Sequence, residues 1–159
     1  MEKLKVLFIC THNSARSQMA EGYLREKYGD RYEAYSAGTE VTRVHPEAIA
    51  VMQEIGIDIS NQRSKALIEF FDMDMDIVFT VCDGARAACP VIPGANRTIH
   101  QGFTDPSSAT GTPDEIRQAF RSTRDEIIRW ADSRFETSTV IEIFCFLFLL
   151  PQKRGGFLF

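Results

Sequence analysis

Residues 5–17, KVLFICTHNSARS, set the pattern on which the chain begins to fold. The first part, Lys5–Ile9, is an apolar run rich in β-forming residues, which is typical of a strand buried on both faces. The small polar residues that follow indicate a loop. A helix is predicted to begin at Ser17 and to stop at Gly29, with one apolar face. The stretch therefore predicts a strand, a tight loop and a helix in direct succession.

The same alternation of strands and helices continues to about residue 135. Further strands are predicted at 32–37, 76–81 and 97–100. Helices are predicted from Pro46 to Gly56, weakly over 64–71, and from Thr112 onwards. In the helix that stops at Gly56, the expected buried stripe is Ile49, Met52 and Ile55. Strands that alternate with helices are typical of an α/β fold, so we expect a four-stranded parallel sheet with helices on both faces.

The predicted elements fit one domain, residues 1–135, which is long enough to bury a core. Residues 136–159 form an atypical apolar tail. Its densest part, TVIEIFCFLFLL (139–150), holds a dozen residues including Glu142, whereas a membrane-spanning helix needs about 20. An extra strand, a membrane-surface or partner contact, and a sequence artefact such as a shifted reading frame stay open as explanations of this tail.

The composition and charge exclude some classes of function. The apolar share of 44% and the charged share of 25% are those of a folded globular protein. A formal charge of −4 gives no support for nucleic-acid binding, which usually needs a clustered basic surface. No signal-peptide pattern precedes the first strand, so we expect a cytoplasmic, reducing location in which cysteines serve chemistry rather than structural disulfides.

The loop between the first strand and the first helix has the form C-x5-R, from Cys10 to Arg16. Five residues between a strand end and a helix start can curl so that successive backbone N–H groups point inward and bind an oxyanion. The helix directs its positive end at the same point. The predicted oxyanion-binding residues are Thr11, His12, Asn13, Ser14, Ala15, Arg16 and Ser17.

The side chains of this loop indicate nucleophilic catalysis. Arg16 can add a bidentate contact to two oxygens of a tetrahedral anion. The local positive charge favours a Cys10 thiolate, which would lie directly under the anion as a nucleophile. We expect Ser14 or Ser17 to donate a hydrogen bond to the sulfur, and Asn13 to hold the loop in shape.

Asp105 is a candidate general acid. It precedes Pro106 in a loop after the last predicted strand, and loops at the carboxyl ends of parallel strands gather over one crevice. A carboxylic acid there could protonate an oxygen that leaves the bound anion. An ordinary Asp-Pro turn explains this pair of residues about as well.

Cys82 and Cys89 lie just after the third predicted strand, separated by DGARAA. If that segment forms a helical turn or two, one thiol could attack an adduct on Cys10 and the other could resolve the resulting disulfide. The alternative is that both are small buried hydrophobic residues. Their spacing differs from a C-x-x-C zinc pattern, and we expect no metal site.

Three separated motifs together resemble the thioredoxin-coupled arsenate reductases, which are built on the low-molecular-weight tyrosine-phosphatase fold. The motifs are CTHNSARSQMAEGYL (10–24), DGARAACPVIPG (83–94) and GFTDPSSATGTPDEI (102–116). The resemblance extends from about Lys5 to Phe135 and implies that residues 1–135 are one phosphatase-like catalytic domain.

The resemblance implies a relay of three cysteines. Cys10 would attack arsenate, for which phosphate is an analogue, while Arg16 holds the anion and Asp105 protonates the departing oxygen. Cys82 would attack the adduct and release arsenite. Cys89 would then attack Cys82, and thioredoxin would reduce the final Cys82–Cys89 disulfide. The resemblance also implies that the segment between these two cysteines partly unwinds. It implies no cofactor.

The chain departs from the resemblance at a cation site. Some members bind potassium through five positions, which here are Asn13, Glu21, Ser36, Arg63 and Lys65. Because two of these residues are themselves cationic, we expect no potassium site. We expect the ammonium of Lys65 to take the place of the ion beside Asn13 or Glu21.

Two other functions stay open. A low-molecular-weight protein tyrosine phosphatase would use the same Cys10 and Asp105, and water would hydrolyse a phosphocysteine. Such enzymes usually carry aromatic residues after the Asp-Pro, whereas this chain has SSAT (107–110), so the reductase is favoured and weak phosphatase activity is a side reaction. A non-catalytic oxyanion-binding or redox-sensing module would need no Asp105.

Overall fold

The apolar run near the start of the chain forms a strand inside a sheet. The computed structural model describes residues 2–88 and 92–136. The strands in these residues are β1 (Leu4–Cys10), β2 (Tyr32–Gly38), β3 (Ile77–Thr80) and β4 (Thr98–His100). The helices are α1 (Arg16–Tyr28), α2 (Pro46–Gln53), α3 (Asp83–Ala88) and α4 (Pro113–Phe135), with short 3₁₀ turns at Leu67–Phe70 and Pro106–Ser108.

The strands pair in the order β2-β1-β3-β4, and every pairing between them is parallel. The last five residues of β1 are buried, as a strand covered on both faces requires. The chain moves from β1 to β2 in one direction and from β2 to β3 in the other. Because crossover connections are right-handed, this reversal requires helices on both faces of the sheet. The predicted α/β architecture is therefore confirmed.

Two predicted helices differ in the structure. The weak helix over 64–71 is only a 3₁₀ turn, Leu67–Phe70. Helix α2 ends at Gln53 rather than at Gly56. The prediction that Ile55 is buried is therefore wrong. Ile55 is 40% exposed, whereas Met52 is fully buried. The reason is that Ile55 lies beyond the helix, in a turn that Gly56 completes at φ +78°, where the helical period no longer applies.

An aromatic cluster joins the sheet to α4. The rings of Phe8 on β1 and Phe79 on β3 stack with their centroids 5.7 Å apart. Trp130 of α4 meets the Phe79 ring edge-on at 5.0 Å, and Phe135 meets Tyr32 of β2 edge-on at the same distance. Edge-to-face pairs of this kind add to the free energy gained from burying their area. The cluster therefore fixes α4 across three strands.

One carboxylate joins α1 to α4. The hydroxyls of Tyr23 and Tyr28 both donate to Oδ1 of Asp132, at 2.8 and 2.7 Å. Burial, and then the hydrogen bond to Asp132, raise the pKa of both phenols above the ordinary value. Both hydroxyls therefore keep their protons at neutral pH and serve as donors.

Some predictions fall on residues that the structure does not describe. Cys89 and the tail beyond residue 136, including Cys145, lie outside the described residues. No helix among the described residues is long and apolar enough to cross a membrane.

We expect Asp132→Ala to lower the free energy of unfolding by about 2–3 kcal/mol, because it leaves two part-buried phenol donors without their shared acceptor. Urea unfolding followed by circular dichroism measures this change. Tyr35→Phe is the matched control, since the hydroxyl of Tyr35 donates to the exposed side chain of Glu33. A loss for Asp132→Ala no larger than that of the control would contradict this role.

Candidate active site

The sheet brings the ends of three strands to one edge. In the register of the strands, Cys10 is opposite Gly38, Ile9 is opposite Thr80, and Thr80 is opposite His100. The chain segments that follow β1, β3 and β4 therefore leave from the same carboxyl edge. Crevices at this edge, where the strand order reverses, are the usual ligand sites of α/β sheets.

The loop after β1 turns its carbonyl groups outward. The oxygens of Thr11, His12 and Ser14 accept hydrogen bonds from backbone N–H groups of the segment 40–45, at 2.8, 3.4 and 2.9 Å. The oxygen of Asn13 accepts from the side chains of Gln18 (3.0 Å) and Ser64 (2.7 Å). Since these carbonyls all face neighbouring segments, the N–H groups of the loop are left to face the concave side.

Asn13 has the conformation that such a turn requires. Its φ is +49°, a left-handed value that asparagine tolerates better than most residues, and it is fully buried. Its side-chain oxygen accepts from the N–H of Lys65 (2.8 Å) and from Gln18 (2.9 Å). Its amide nitrogen donates to Ser17 Oγ at 2.8 Å. Both ends of this buried amide are therefore hydrogen-bonded, which supports the predicted role of Asn13 in shaping the loop.

Gly38 allows the loop to lie against β2. A Cβ atom at this position would lie 2.8 Å from the oxygen of Thr11 and 2.9 Å from the nitrogen of Asn13. Both neighbours are backbone atoms, so they cannot rotate away. Any larger residue at Gly38 would displace the loop. From the sequence, this glycine is only the residue that follows the predicted strand 32–37.

A chain of hydrogen bonds ends on the sulfur of Cys10. Ser17 Oγ lies 2.8 Å from Cys10 Sγ, and both residues are buried. Because Ser17 Oγ already accepts the amide proton of Asn13, its own proton is available to the sulfur. Of the two serines considered from the sequence, Ser17 is the one that contacts the sulfur, whereas Ser14 contacts the neighbouring loop through its backbone oxygen.

Helix α1 begins directly after this loop, at Arg16. Its N-cap residue, Ala15, has no side chain able to accept the first N–H groups, and the first turn contains no acidic residue. The N–H groups and the positive end of the helix dipole therefore remain available to an anion in the loop.

Arg16 and Asp105 meet at the mouth of the loop. Arg16 Nη2 lies 3.2 Å from Asp105 Oδ2, and Arg16 Nη1 donates to the oxygen of Phe103 at 3.2 Å. The other carboxylate oxygen of Asp105 accepts from the N–H (3.0 Å) and the hydroxyl (2.7 Å) of Ser107. Ser107 therefore orients the candidate acid. From the sequence, Ser107 was noted only because it occupies a position where phosphatases usually carry an aromatic residue.

Cys82 lies against the same loop. Its Sγ is 3.4 Å from the hydroxyl oxygen of Thr11, the residue that follows Cys10, and it accepts from the N–H of Ala85 at 3.3 Å. Cys82 is buried and free of any disulfide, like Cys10. The segment after Cys82 forms α3, the helical turn considered from the sequence. The structure thus brings two free thiols to one loop.

The ammonium of Lys65 lies beside the buried carboxylate of Glu21, as expected from the sequence. Lys65 Nζ is 3.3 Å from Glu21 Oε2, 3.4 Å from Ser36 Oγ and 3.0 Å from the backbone oxygen of Arg63. Ser36 and Arg25 also donate to Glu21. The guanidinium of Arg63, expected at the cation position, instead points outward to Glu69, and only the backbone oxygen of Arg63 contacts Lys65.

The two histidines near the loop, His12 and His45, have different environments. His12 is half-exposed at the rim, with Nδ1 3.3 Å from the backbone oxygen of Glu40. His45 caps α2 by accepting from the N–H of Glu47, and burial lowers the pKa of its imidazole. Within residues 2–88 and 92–136, no three His, Cys, Asp or Glu side chains are grouped as a metal ion would require.

Comparisons with known proteins place the chain in a family. The family model described as low molecular weight phosphotyrosine protein phosphatase matches residues 5–130. An arsenate reductase of Halalkalibacterium halodurans is 45% identical over 127 residues, which cover 80% of this chain and 91% of that protein. The family match spans Cys10, Cys82 and Asp105 together.

Solved structures give the same result for the fold. An arsenate reductase in the phosphate-binding state is 32% identical, with a TM-score of 0.68, over 86% of this chain and 99% of its own. A low molecular weight protein tyrosine phosphatase from T. tengcongensis is 25% identical, with a TM-score of 0.69, over 86% of this chain and 100% of its own. The phosphatase-like fold expected from the sequence is therefore confirmed.

We expect Ser17→Ala to slow the alkylation of Cys10 by iodoacetamide at pH 7 about ten- to a hundredfold, because a hydrogen bond to a charged group contributes about 1.5–3 kcal/mol. The alkylated fraction of Cys10 is measured by peptide mass spectrometry over time. Ser14→Ala, in the same loop, is the matched control and should react like the wild type. Equal rates for the two variants would show that the Ser17 hydroxyl does not act on the sulfur.

We expect Lys65→Met to lower the free energy of unfolding by about 2 kcal/mol, since it removes a cation from a buried carboxylate that Arg25 only partly compensates. Urea unfolding measures the loss. Arg63→Met removes an exposed guanidinium from the same segment and should remain close to the wild type. If both variants unfold like the wild type, Lys65 has no part in holding Glu21.

Proposed function

Because the chain belongs to the low molecular weight phosphotyrosine protein phosphatase family, we propose that it reduces arsenate to arsenite and that thioredoxin regenerates it. The observation that carries this proposal is the contact between Cys82 Sγ and Thr11 Oγ1, which places a second free thiol against the loop of Cys10. A phosphatase needs only the first thiol. The curated relative at 45% identity bears the name arsenate reductase, which supports the same choice.

The substrate is a tetrahedral oxyanion held by the loop. The inward N–H groups of residues 11–17, the start of α1 and the guanidinium of Arg16 supply the positive field. An arsenate dianion competes with Asp105 for Arg16, which leaves the carboxyl group of Asp105 beside the bound anion. The solved relative described as binding phosphate supports an anion of this shape.

The first step forms a bond between sulfur and arsenic. The thiolate of Cys10 attacks arsenic, and one oxygen leaves as water after Asp105 donates a proton to it. Arsenic is still in the +5 state in this adduct. Ser17 donates to the sulfur before the attack, and Arg16 holds the oxygens that stay on arsenic.

The second step transfers the electrons. Cys82 attacks the sulfur of Cys10, so a Cys10–Cys82 disulfide forms and the sulfur–arsenic bond breaks with its electron pair on arsenic. Arsenic leaves as arsenite in the +3 state, and two thiols have been oxidised. Cys89 then attacks Cys82 and releases the Cys10 thiolate. Thioredoxin, as a dithiol, reduces the Cys82–Cys89 disulfide, so atoms and electrons balance over one cycle.

The same residues support a second activity at a lower rate. Cys10, Arg16 and Asp105 can transfer a phosphoryl group from a phosphomonoester, and water can hydrolyse the phosphocysteine. This reaction does not require Cys82, which separates the two functions experimentally. We place the reductase in the cytoplasm, where free thiols and thioredoxin persist.

We expect arsenate-dependent NADPH oxidation when the protein is mixed with thioredoxin, thioredoxin reductase and NADPH. Cys10→Ser, Cys82→Ser and Cys89→Ser should each abolish it, because each removes one sulfur of the relay. Cys145→Ser is the matched control and should retain it. Asp105→Asn should slow it about 10²- to 10⁴-fold, the range for loss of a general acid.

Other outcomes of this assay would contradict the proposal. No NADPH oxidation, combined with p-nitrophenyl phosphate hydrolysis that needs Cys10 but not Cys82, would make the protein a phosphatase. Anion binding that Asp105→Asn leaves unchanged, with neither activity, would make it a binding module.

A further inference from the structure

His100 is the group that the proposed reaction leaves unused near Cys82. It lies at the end of β4, in register with Thr80 at the end of β3. Its Nδ1 is 3.0 Å from Thr80 Oγ1, and its Nε2 is 3.2 Å from Oδ1 of Asp83, the first residue of α3. One imidazole therefore touches the last residue of a strand and the first residue of the next helix.

These two contacts enclose the segment that carries the second thiol. Between Thr80 and Asp83 the chain contains only Val81 and Cys82. Val81 is buried and its N–H donates to the oxygen of Ile9 at 2.8 Å, so the strand side of the segment is fixed by the sheet. On the helix side, buried Ala85 donates to Cys82 Sγ, and the exposed side chain of Asp83 adds a contact back to His100.

The two contacts favour one tautomer of the imidazole. A carboxylate can only accept, so the 3.2 Å contact with Asp83 is favourable when His100 Nε2 carries a proton. Nδ1 can accept from the hydroxyl of Thr80, or donate to it when the ring is protonated. The contact with Asp83 thus persists in both states of the imidazole.

We propose that His100 is a positioning residue for Cys82, which acts by holding Asp83 and so keeping the thiol aimed at the loop of Cys10. This role rests on the proposed function, because it concerns the attack of Cys82 on the Cys10–arsenic adduct. His100 does not contact the substrate. Its effect is confined to the second step, in which the disulfide forms and arsenite leaves.

The expected slowing of the Cys82 attack follows from the solvent exposure of His100 and Asp83. The side chain of Asp83 is 93% exposed and that of His100 is 26% exposed. An exposed ion pair supplies little stability, so its loss should leave the fold intact and should slow the attack of Cys82 by about three- to fivefold. The attack on arsenic by Cys10 should not change, since neither residue contacts Cys10 or Ser17.

The test is a single turnover of the full chain with saturating arsenate and no thioredoxin, in which arsenite release is followed by rapid quenching. His100→Asn and Asp83→Ala should each slow release about three- to fivefold. The double variant should be no slower than either single one, because both remove the same contact. His100→Gln, whose amide nitrogen can replace Nε2 as a donor, should restore most of the rate.

Two further readouts separate positioning from a general structural role. The alkylation rate of Cys10 by iodoacetamide, and its protection by inorganic phosphate, should be the same in all these variants and the wild type. Thermal unfolding midpoints should also agree. Slowing of alkylation and arsenite release together, additive effects in the double variant, or unchanged arsenite release would each overturn the proposal.

The wild type separates this inference from the proposed function. If the wild type releases no arsenite, the proposed function fails and the role of His100 falls with it. If the wild type releases arsenite and the variants do so at the same rate, only the role of His100 is wrong.

Discussion

The site depends on the outward turn of the carbonyl groups between Thr11 and Ser14. Each of these carbonyls accepts a hydrogen bond from a neighbouring segment, and the buried side-chain amide of Asn13 holds the turn through three more hydrogen bonds. Because the carbonyls face outward, the N–H groups and the start of α1 face one point. This arrangement suits an oxyanion bound beside Cys10, the residue at which the loop begins, and the proposed nucleophilic attack depends on it.

The parallel sheet brings the other two side chains of the proposed reaction, Asp105 and Cys82, to the loop. Since β1, β3 and β4 end at one edge, the residues that follow them come together although they are distant in sequence. Asp105 reaches the loop through Arg16, and Cys82 reaches it through Thr11. A phosphatase reaction would use Asp105 and Arg16 but no second thiol. The second contact adds that thiol, on which the proposed reduction of arsenate depends.

The sequence predicted what local patterns determine. Residues 5–17 contain their own strand, loop and helix start, so the fold class and the loop of Cys10 were accessible from them. Gly38 was not recognised as part of the site. Only glycine fits at this position because β2 packs beside the loop, and that packing is not visible in the local sequence. Ser107 was not recognised as a partner of Asp105, although this contact is local, because the residues after Pro106 were considered only for the aromatic side chains they lack. The error at Ile55 arose because a helical period was extended past the point where α2 ends.

The most direct test of the account is to treat the Cys89→Ser variant with arsenate, block free thiols, and map its peptides without reduction. Removal of Cys89 stops the relay after the attack of Cys82. One disulfide should form, between Cys10 and Cys82, with one arsenite released for each disulfide. A Cys10 that remains a free thiol, or a disulfide that joins Cys10 to Cys145 instead, would contradict it.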